Sequence, residues 1–177
     1  MRYKNGIEKL YSGKADNTSA LPYFPMFIQL TGKKIVVIGA GTKAARRVTS
    51  LLDFGADIYI IAPEISEEIK NLSKAAKSNI HLFERNYKTI DCSNAFWVIA
   101  ATNNRKINHQ IGIDSKQNGA FATISYAKEE STVYFPGIAK EDNVVVGITT
   151  GGRDHSLAKK ITKQCRIYLG KWMKGSE

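Results

Sequence analysis

The segment KIVVIGAGTKA, residues 34–44, decides how the rest of the chain is interpreted. Its opening run is almost wholly apolar and rich in β-branched residues, which is typical of a strand buried on both faces of a parallel sheet. We expect this strand over residues 34–40. The residues that follow show apolar side chains at helical spacing up to Gly55. The segment therefore predicts a strand, a tight turn and a helix.

The turn itself carries the pattern G-x-G-x-x-A, with Gly39, Gly41 and Ala44 at its fixed positions. The first glycine permits the tight turn, the second lets a pyrophosphate approach the backbone, and the small Ala44 allows close packing of helix on sheet. Thr42 and Lys43 lie in the first helical turn, whose free N–H groups favour an anion. A βα turn that binds nothing, with Lys43 simply solvated, is the alternative interpretation.

Further strand-like runs alternate with helix-like segments, which favours a Rossmann-like doubly wound α/β fold with helices on both faces of a parallel sheet. Asn103 is the expected N-cap of the helix after the fourth strand, with Ile107 and Ile111 on its inner face. The four further strands are expected over residues 57–62, 80–84, 95–102 and 121–126.

The pattern changes after the fifth strand. Residues 132–139 and 143–150 form two strand-like runs around a polar turn, which indicates a β-hairpin. An amphipathic helix follows, for which we expect Leu157, Ile161, Cys165 and Tyr168 to face inward. We therefore divide the chain into an N-terminal extension (1–21), a Rossmann domain (22–126), a hairpin or dimerisation segment (127–152) and a basic C-terminal helix (153–177).

Composition narrows the functional classes. The 177 residues are 43% hydrophobic and 24% charged, and 26 basic against 16 acidic side chains give a net charge of +10. Seven basic and two acidic residues fall in the last 27, so this end of the chain should attract an anion. We expect a cytoplasmic protein, since no membrane span or secretory signal is visible. Cys92 and Cys165 show no disulfide or zinc spacing, and no metal site is expected.

The ends of two other strands supply candidate cofactor contacts. Pro63 and Glu64 follow the second strand, and Glu64 is placed to reach the adenosine ribose. No arginine follows that strand to bind a 2′-phosphate, which favours NAD over NADP. Ala101 and Thr102 follow the fourth strand, where small residues let a nicotinamide pack against the backbone. The alternative is that these small residues serve close packing alone.

Several motifs in a fixed order resemble one family, the precorrin-2 dehydrogenases that form the NAD-dependent module of siroheme synthases. The resemblance implies oxidation of precorrin-2 to sirohydrochlorin with NAD as acceptor, insertion of Fe²⁺ in bifunctional members, and a homodimer built through the hairpin segment. The motifs are FPMFIQL (24–30), GKKIVVIGAG (32–41), GADIYIIAPE (55–64), VIAATN (98–103), FPGI (135–138) and VVGITTGG (145–152), the last followed by LAKKI (157–161).

Departures from the family pattern fall at the catalytic candidates that the resemblance implies. Asn103 stands where bifunctional members have an aspartate, and an amide cannot accept a proton as a carboxylate does. Ser131 and Thr132 lie where the family places a serine near the tetrapyrrole, although a hydroxyl there can simply open a strand. His155 follows Arg153 and Asp154 where members often have Ser-Pro, and it is either a substitute acid–base group or a solvated residue. We therefore expect a dehydrogenase with weak or absent chelatase activity.

The interpretations that stay open differ in class. The main one is a homodimeric NAD-dependent enzyme acting on a polycarboxylate tetrapyrrole, with no nucleic-acid or membrane partner. A non-catalytic NAD- or tetrapyrrole-binding carrier or regulator is favoured by Asn103 and by the chain's stopping soon after the terminal helix, where such modules usually continue into a helical domain. A nucleic-acid-binding protein rests only on the basic terminal helix.

Overall fold

The centre of the protein is a five-stranded sheet followed by a separate hairpin and a long helix. The computed structural model describes residues 23–76 and 79–175, so the predicted N-terminal extension lies outside the described residues. Two single-turn 3₁₀ helices at Thr89–Cys92 and Lys128–Glu130 interrupt the connections. In chain order the main elements are β1 (Lys34–Ile38), α1 (Thr42–Leu52), β2 (Asp57–Ala62), α2 (Glu67–Ala75), β3 (Ile80–Glu84), β4 (Trp97–Ala100), α3 (Arg105–Gln117), β5 (Phe121–Ile124), β6 (Gly137–Glu141), β7 (Val144–Ile148) and α4 (His155–Lys174).

The predicted doubly wound parallel sheet is confirmed. The strand order is β3-β2-β1-β4-β5, and all neighbouring strands in it are parallel. The chain moves outward from β1 to β3 and then returns to the other side of β1 through β4. With right-handed crossovers this reversal puts α1 and α2 on one face and α3 on the other. A crevice therefore opens at the carboxyl ends of β1 and β4.

The core consists of two apolar layers, one on each face of the sheet. Ile35, Ile58 and Ile60 pack against α1 and α2, while Val36 and Val98 pack on the face covered by α3. All five side chains are fully buried. Burying each of them contributes about 1.5–3 kcal/mol, which is why the strands read as unbroken apolar runs.

Three of the strands are shorter than the sequence pattern suggests. β1 stops at Ile38 because Gly39 turns the chain with φ 104°, outside the range of a strand. β5 stops at Ile124 because Tyr126, two residues on, has φ 63°. β4 covers only residues 97–100 of the expected 95–102.

The first hairpin strand begins at Gly137 and not at Thr132 as expected. Residues 131–133 instead run along the outer edge of β5. The N–H groups of Thr132 and Val133 donate to the carbonyl of Ala122 (2.9 and 3.2 Å), and the Thr123 hydroxyl donates to the carbonyl of Val133 (3.0 Å). These bonds occupy the edge of the parallel sheet, so pairing in the hairpin starts only afterwards.

The predicted β-hairpin is confirmed. β6 and β7 pair with each other in antiparallel register, from Gly137 opposite Ile148 to Glu141 opposite Val144. The turn is Asp142-Asn143, shorter than expected, and Asp142 adopts the left-handed conformation (φ 45°) that tight hairpins need. The hairpin forms a sheet of its own, and α4 packs across it.

The expected inner face of the C-terminal helix is wrong. Leu157, Ile161 and Tyr168 are 46%, 39% and 61% exposed, and Cys165 is half-buried. Two other side chains meet the hairpin: Thr162 is buried against Gly137, and the Arg166 guanidinium donates to the carbonyl of Ile138 (3.1 and 2.6 Å). A Cβ atom on Gly137 would overlap the Thr162 hydroxyl. The backbone of β6 therefore approaches α4 so closely that only glycine fits at position 137 without moving Thr162.

The helix after β4 begins one residue later than expected. Its N-cap is Asn104, whose side-chain oxygen accepts a hydrogen bond from the N–H of Ile107 (3.1 Å), and not Asn103. Ile111 is fully buried as predicted, whereas Ile107 is 38% exposed and faces the crevice. The shift leaves the Asn103 side chain outside the helix. Among the described helices, none has the length and apolar character needed to cross a bilayer.

Candidate functional site

The crevice at the carboxyl edge of the sheet is a cleft of about 610 Å³. It lies where β1, β2 and β4 end and where α1 begins. Nine of the residues proposed from the sequence line it, while Ala44, fully buried beneath the cleft between α1 and the sheet, does not. The nine are Gly39, Gly41, Thr42, Lys43, Pro63, Glu64, Ala101, Thr102 and Asn103.

The floor of the cleft is a close backbone contact between two strand ends. Gly39 donates its N–H to the carbonyl of Ile61 (2.8 Å) and has φ 104°. A Cβ atom at this position would come within 2.7 Å of the Ala101 carbonyl oxygen. No other residue therefore fits without moving the loop after β4, which is the structural reason for the first glycine of the motif.

Gly41 has a different role, since it leaves space above the helix. It is the N-cap of α1 with φ −88°, and a Cβ atom there would meet no atom within 4 Å. The first turn of α1 has no side-chain cap and no acidic residue. The N–H groups at this helix end therefore face the cleft without a capping oxygen, which fits a phosphate or pyrophosphate group.

The β2 side of the cleft is formed by four exposed or half-buried residues. Pro63 and Glu64 follow β2, and Asn86 and Tyr87 follow β3. Tyr87 is fixed by its hydroxyl, which donates to a carboxylate oxygen of the buried Asp114 (2.6 Å). Burial and this hydrogen bond raise the pKa of Tyr87 well above its ordinary value, so the ring at the cleft wall stays neutral.

The arginine next to that wall is already occupied. Arg85 makes two hydrogen bonds to the Asp91 carboxylate, at 2.8 and 2.6 Å. Burial of Asp91 opposes ionisation, but these bonds and one from the N–H of Lys88 outweigh it and lower the pKa of Asp91. The guanidinium of Arg85 is therefore committed to Asp91 and does not line the cleft.

The β4 side of the cleft is held by a buried asparagine. Thr102 donates its hydroxyl to Asn108 Oδ1 (2.6 Å), and Asn108 Nδ2 donates back to the Thr102 carbonyl (3.0 Å). Asn108 is 1% exposed and belongs to α3, so the helix fixes the loop. The neighbouring Asn103 is exposed, and its amide makes no hydrogen bond within the described part of the chain. It is therefore available to a ligand.

Three of the catalytic candidates lie away from this cleft. The Ser131 hydroxyl accepts a hydrogen bond from the N–H of Ile124 (2.9 Å), and the Thr132 hydroxyl accepts one from the N–H of Ala122 (2.7 Å). Both therefore serve the edge of β5. His155 is the exposed first residue of α4, next to the N-cap Asp154. None of the three lines the cleft, and a contact of any of them with substrate stays a prediction.

Sequence reasoning missed several residues of the site. Asn86 and Tyr87 follow a strand that is not adjacent to β1, and nothing in their spacing indicates the cleft. Asn104 would be the first helical residue if Asn103 were the N-cap, and Asn108 is a polar residue whose burial only the fold reveals. A polar residue beside the inner stripe of an otherwise amphipathic helix is the one signal that could have pointed to Asn108.

Comparison with known proteins identifies the group to which this arrangement belongs. A family model described as "Putative NAD(P)-binding" matches residues 26–137. The chain is 33% identical over 139 residues to precorrin-2 dehydrogenase of Bacillus subtilis, covering 78% of this chain and 84% of that protein. It is 42% identical over 144 residues to "Probable multifunctional siroheme biosynthesis protein HemA" of Ruminiclostridium josui, where the match covers 81% of this chain but only 28% of the longer relative.

A solved structure agrees with these relatives. The structure named "SirC, precorrin-2 dehydrogenase" superposes with a TM-score of 0.67 at 25% identity, covering 80% of this chain and 69% of that one. The family model itself spans the glycine-lined helix start and all five strands of the sheet that carries the cleft. The chain therefore belongs to the NAD(P)-binding family of the precorrin-2 dehydrogenases and siroheme synthases.

Proposed function

We propose that this protein oxidises precorrin-2 to sirohydrochlorin with NAD⁺ as acceptor. The observation that carries the proposal is the cleft, in which an uncapped helix end faces a close contact between Gly39 and Ala101. A small-residue floor beside an anion-favouring helix end suits a dinucleotide. The names and coverage of the relatives support the substrate assignment.

The residues of the cleft fit the dinucleotide from end to end. The N–H groups at the start of α1, beyond Gly41, would hold the pyrophosphate, and Pro63, Glu64 and Tyr87 would hold the adenosine. Ala101 and Thr102 would form the wall beside the nicotinamide. When bound, NAD⁺ supplies the hydride acceptor for the reaction. The chain's own contribution is to bind, orient and shield the reacting groups.

The preference for NAD over NADP follows from charge on the β2 side. Glu64 is exposed at the cleft wall, where its carboxylate would accept hydrogen bonds from a ribose and repel a 2′-phosphate. The nearby Arg85 is held by Asp91 and would have to leave that pair to meet a phosphate.

Asn103 governs what happens to the protons. Oxidation removes a hydride and one proton from precorrin-2, whereas metal insertion displaces two pyrrole protons. Asn103 is exposed at the cleft mouth and cannot accept a proton, so the single proton released in oxidation has to pass to another acceptor. Chelation, with two protons to remove, should suffer more, so we propose weak or absent chelatase activity. A role for His155 as a substitute base stays a prediction.

We further propose that the working form is a homodimer joined through the hairpin segment. β6 and β7 pair only with each other among the described strands, so each has an open edge. The exposed apolar side of α4, with Leu157, Ile161 and Tyr168, lies on the same unit. A second copy would cover both. Independently of dimerisation, the net charge of +10 on each chain would attract the polycarboxylate substrate toward the protein.

The decisive experiment combines turnover with direct binding. Purified protein is mixed with precorrin-2 and NAD⁺, and appearance of the sirohydrochlorin absorbance is followed with and without Fe²⁺. We expect NAD⁺- and protein-dependent oxidation and no acceleration of metal insertion. Calorimetry with NAD⁺ alone runs beside it. Binding of NAD⁺ without turnover would select the non-catalytic carrier or regulator, and absence of NAD⁺ binding would overturn the proposal.

A further inference from the structure

Tyr126 is an exposed aromatic residue held in an unusual backbone conformation. It follows β5 directly with φ 63°, in the left-handed region that bulky side chains rarely adopt. Its two neighbours, Ser125 and Ala127, are 5% and 1% exposed, whereas Tyr126 is 72% exposed. The N–H of Ser125 donates to the Ala100 carbonyl (2.9 Å), which ties this turn to the end of β4. The buried neighbours therefore force the ring outward at the carboxyl edge of the sheet.

The ring meets a cation from the nucleotide cleft. The Nζ atom of Lys43 lies 3.4 Å from the centroid of the Tyr126 ring, well within cation–π range. Lys43 lies in the first turn of α1 and is itself a lining residue of the cleft. A flexible lysine at an exposed helix start would otherwise sample many positions, so the ring restricts where its charge is found.

The position of the ring shows which end of the cleft receives the charge. Tyr126 follows β5, two strands from β1, while Glu64 and Tyr87 follow β2 and β3 on the opposite side. With a spacing of about 4.8 Å between strands, the end of β5 lies roughly 10 Å from the end of β1. The ammonium is therefore drawn away from the adenosine side and toward the side of Asn103, next to the proposed nicotinamide site at Ala101 and Thr102.

We propose that Tyr126 is a positioning residue that holds the Lys43 ammonium for a carboxylate of the tetrapyrrole substrate. The inference rests on the proposed function and extends it to one specific contact. The tetrapyrrole carries acetate and propionate side chains, and a cation with a fixed direction recognises such a group with less loss of side-chain entropy. The competing assignment, that Lys43 serves the pyrophosphate, makes a different prediction for cofactor affinity.

The test uses four variants of the full chain. Tyr126→Phe keeps the ring, and Tyr126→Gly removes it while favouring the left-handed backbone, so folding is not endangered. Lys43→Met removes the charge, and the double variant Lys43→Met/Tyr126→Gly closes a double-mutant cycle. Arg46→Met, an exposed neighbour on α1 outside the cleft, is the matched control for lost charge. The readouts are kcat and KM for precorrin-2, and separate dissociation constants for sirohydrochlorin and for NAD⁺.

We expect Lys43→Met to raise the KM for precorrin-2 and the Kd for sirohydrochlorin about five- to tenfold. Tyr126→Gly should raise both about two- to fivefold with a thermal midpoint no lower than that of the wild type, and Tyr126→Phe should change neither. The double variant should match Lys43→Met, because the ring acts only through the lysine. The Kd for NAD⁺ and the kcat should stay the same in Tyr126→Phe, Tyr126→Gly and Arg46→Met, and in Lys43→Met the Kd for NAD⁺ should rise by less than the Kd for sirohydrochlorin.

The outcomes separate the inference from the proposed function. If the wild type turns over precorrin-2 but Tyr126→Gly leaves KM and the sirohydrochlorin Kd unchanged, the inference alone fails. If Lys43→Met weakens NAD⁺ and not sirohydrochlorin, the ammonium serves the pyrophosphate and the inference is overturned. If the wild type binds neither ligand, the proposed function fails first. An effect of Arg46→Met equal to that of Lys43→Met would reduce the contact to general electrostatic attraction and also overturn it.

Discussion

The parallel sheet and the hairpin–helix unit, by which we mean β6, β7 and α4, bury their side chains to very different degrees. In β1 every residue after Lys34 is buried, whereas in β7 none is. The sheet is covered on both faces by helices that lie next to it in the chain. The hairpin has one helix on one side, and that helix turns Ile161 and Tyr168 to the outside. The chain itself therefore covers the sheet, whereas the hairpin–helix unit keeps an exposed apolar surface that the proposed homodimer would cover.

The largest expected effect measures this difference in stability. Ile58→Ala in β2 removes a fully buried side chain from the core and should lower the free energy of unfolding by about 2–5 kcal/mol. Val146→Ala, a half-buried residue of β7, should cost about 1 kcal/mol or less in the isolated chain. Urea denaturation of both variants, at equal protein concentration, gives the comparison. Equal losses would mean that the hairpin is part of the main core.

The next prediction concerns the cleft, which belongs to the sheet. Gly41→Asp places a carboxylate at an open N-cap position, where aspartate stabilises a helix but repels a pyrophosphate. We expect the Kd for NAD⁺ to rise by about 100-fold or more, equivalent to roughly 2.7 kcal/mol, with no loss of thermal stability. Calorimetry and a melting curve measure the two quantities.

The matched control for this variant lies in the hairpin–helix unit. Gly170→Asp makes the same substitution in α4 at a position that is also open to a Cβ atom and has no positive φ. NAD⁺ affinity should be unchanged there. If Gly170→Asp instead weakened NAD⁺ binding, α4 would contribute to the cofactor site, and the functional division between the two regions would no longer hold.

A smaller effect is expected in the segment that leads from β3 back to β4. Asp91→Asn weakens the pair with Arg85 and should lower stability by about 1–2 kcal/mol at neutral pH, a range reduced because Arg85 is 36% exposed. The folded pKa of Asp91 is depressed, so its contribution is present above the unfolded pKa near 3.8 and is lost as the pH falls through the folded value. Unfolding curves from pH 7 to pH 2 should therefore converge for wild type and variant at the acid end.

The smallest effect on folding should come from the outer side of α4. Ile161→Glu changes a residue that is 39% exposed and should alter the stability of the single chain by no more than about 0.5 kcal/mol. If the proposed homodimer uses this surface, the same change should shift the molar mass measured by light scattering from two chains toward one. A dimer that persists unchanged would assign the interface to another surface.

The sequence interpretation was accurate where a feature depends on residues that are close together in the chain, and less accurate where it depends on distant contacts. The strands at residues 57–62 and 80–84 were predicted to the residue, because short runs rich in β-branched and aromatic residues between polar or turn-forming residues indicate strands. The predicted inner face of α4 was wrong. Apolar residues at helical spacing, such as Leu157 and Ile161, indicate a face that is suited to burial but not which part of the molecule covers it. The N-cap was misplaced by one residue because Asn103 and Asn104 are equally good caps in isolation.

The site divides in the same way. Gly39 and Gly41 were found because the two glycines belong to one short motif, G-x-G-x-x-A, whose spacing is visible in the sequence. The sequence did not place three other residues in the site, because each lies on a part of the chain distant from the glycine turn. Tyr87 lines the cleft, Asn108 holds Thr102 of the cleft, and Tyr126 contacts Lys43 of the cleft. Ser131 and Thr132 were proposed near substrate, yet their hydroxyls meet the backbone of β5. No spacing rule reports such contacts between a side chain and the backbone, although the partners are only seven and ten residues apart.

The sequence by itself determined the parallel sheet, its helices and the glycine turn, because each depends on the apolar period or on backbone freedom within about ten residues. Only the tertiary structure decided which polar groups face the cleft, which face of α4 is open, and that Lys43 meets the ring of Tyr126. Those outcomes depend on how strands and helices far apart in the chain are brought together. The contacts that stabilise these arrangements exist only after the sheet has formed and the helices have packed on it.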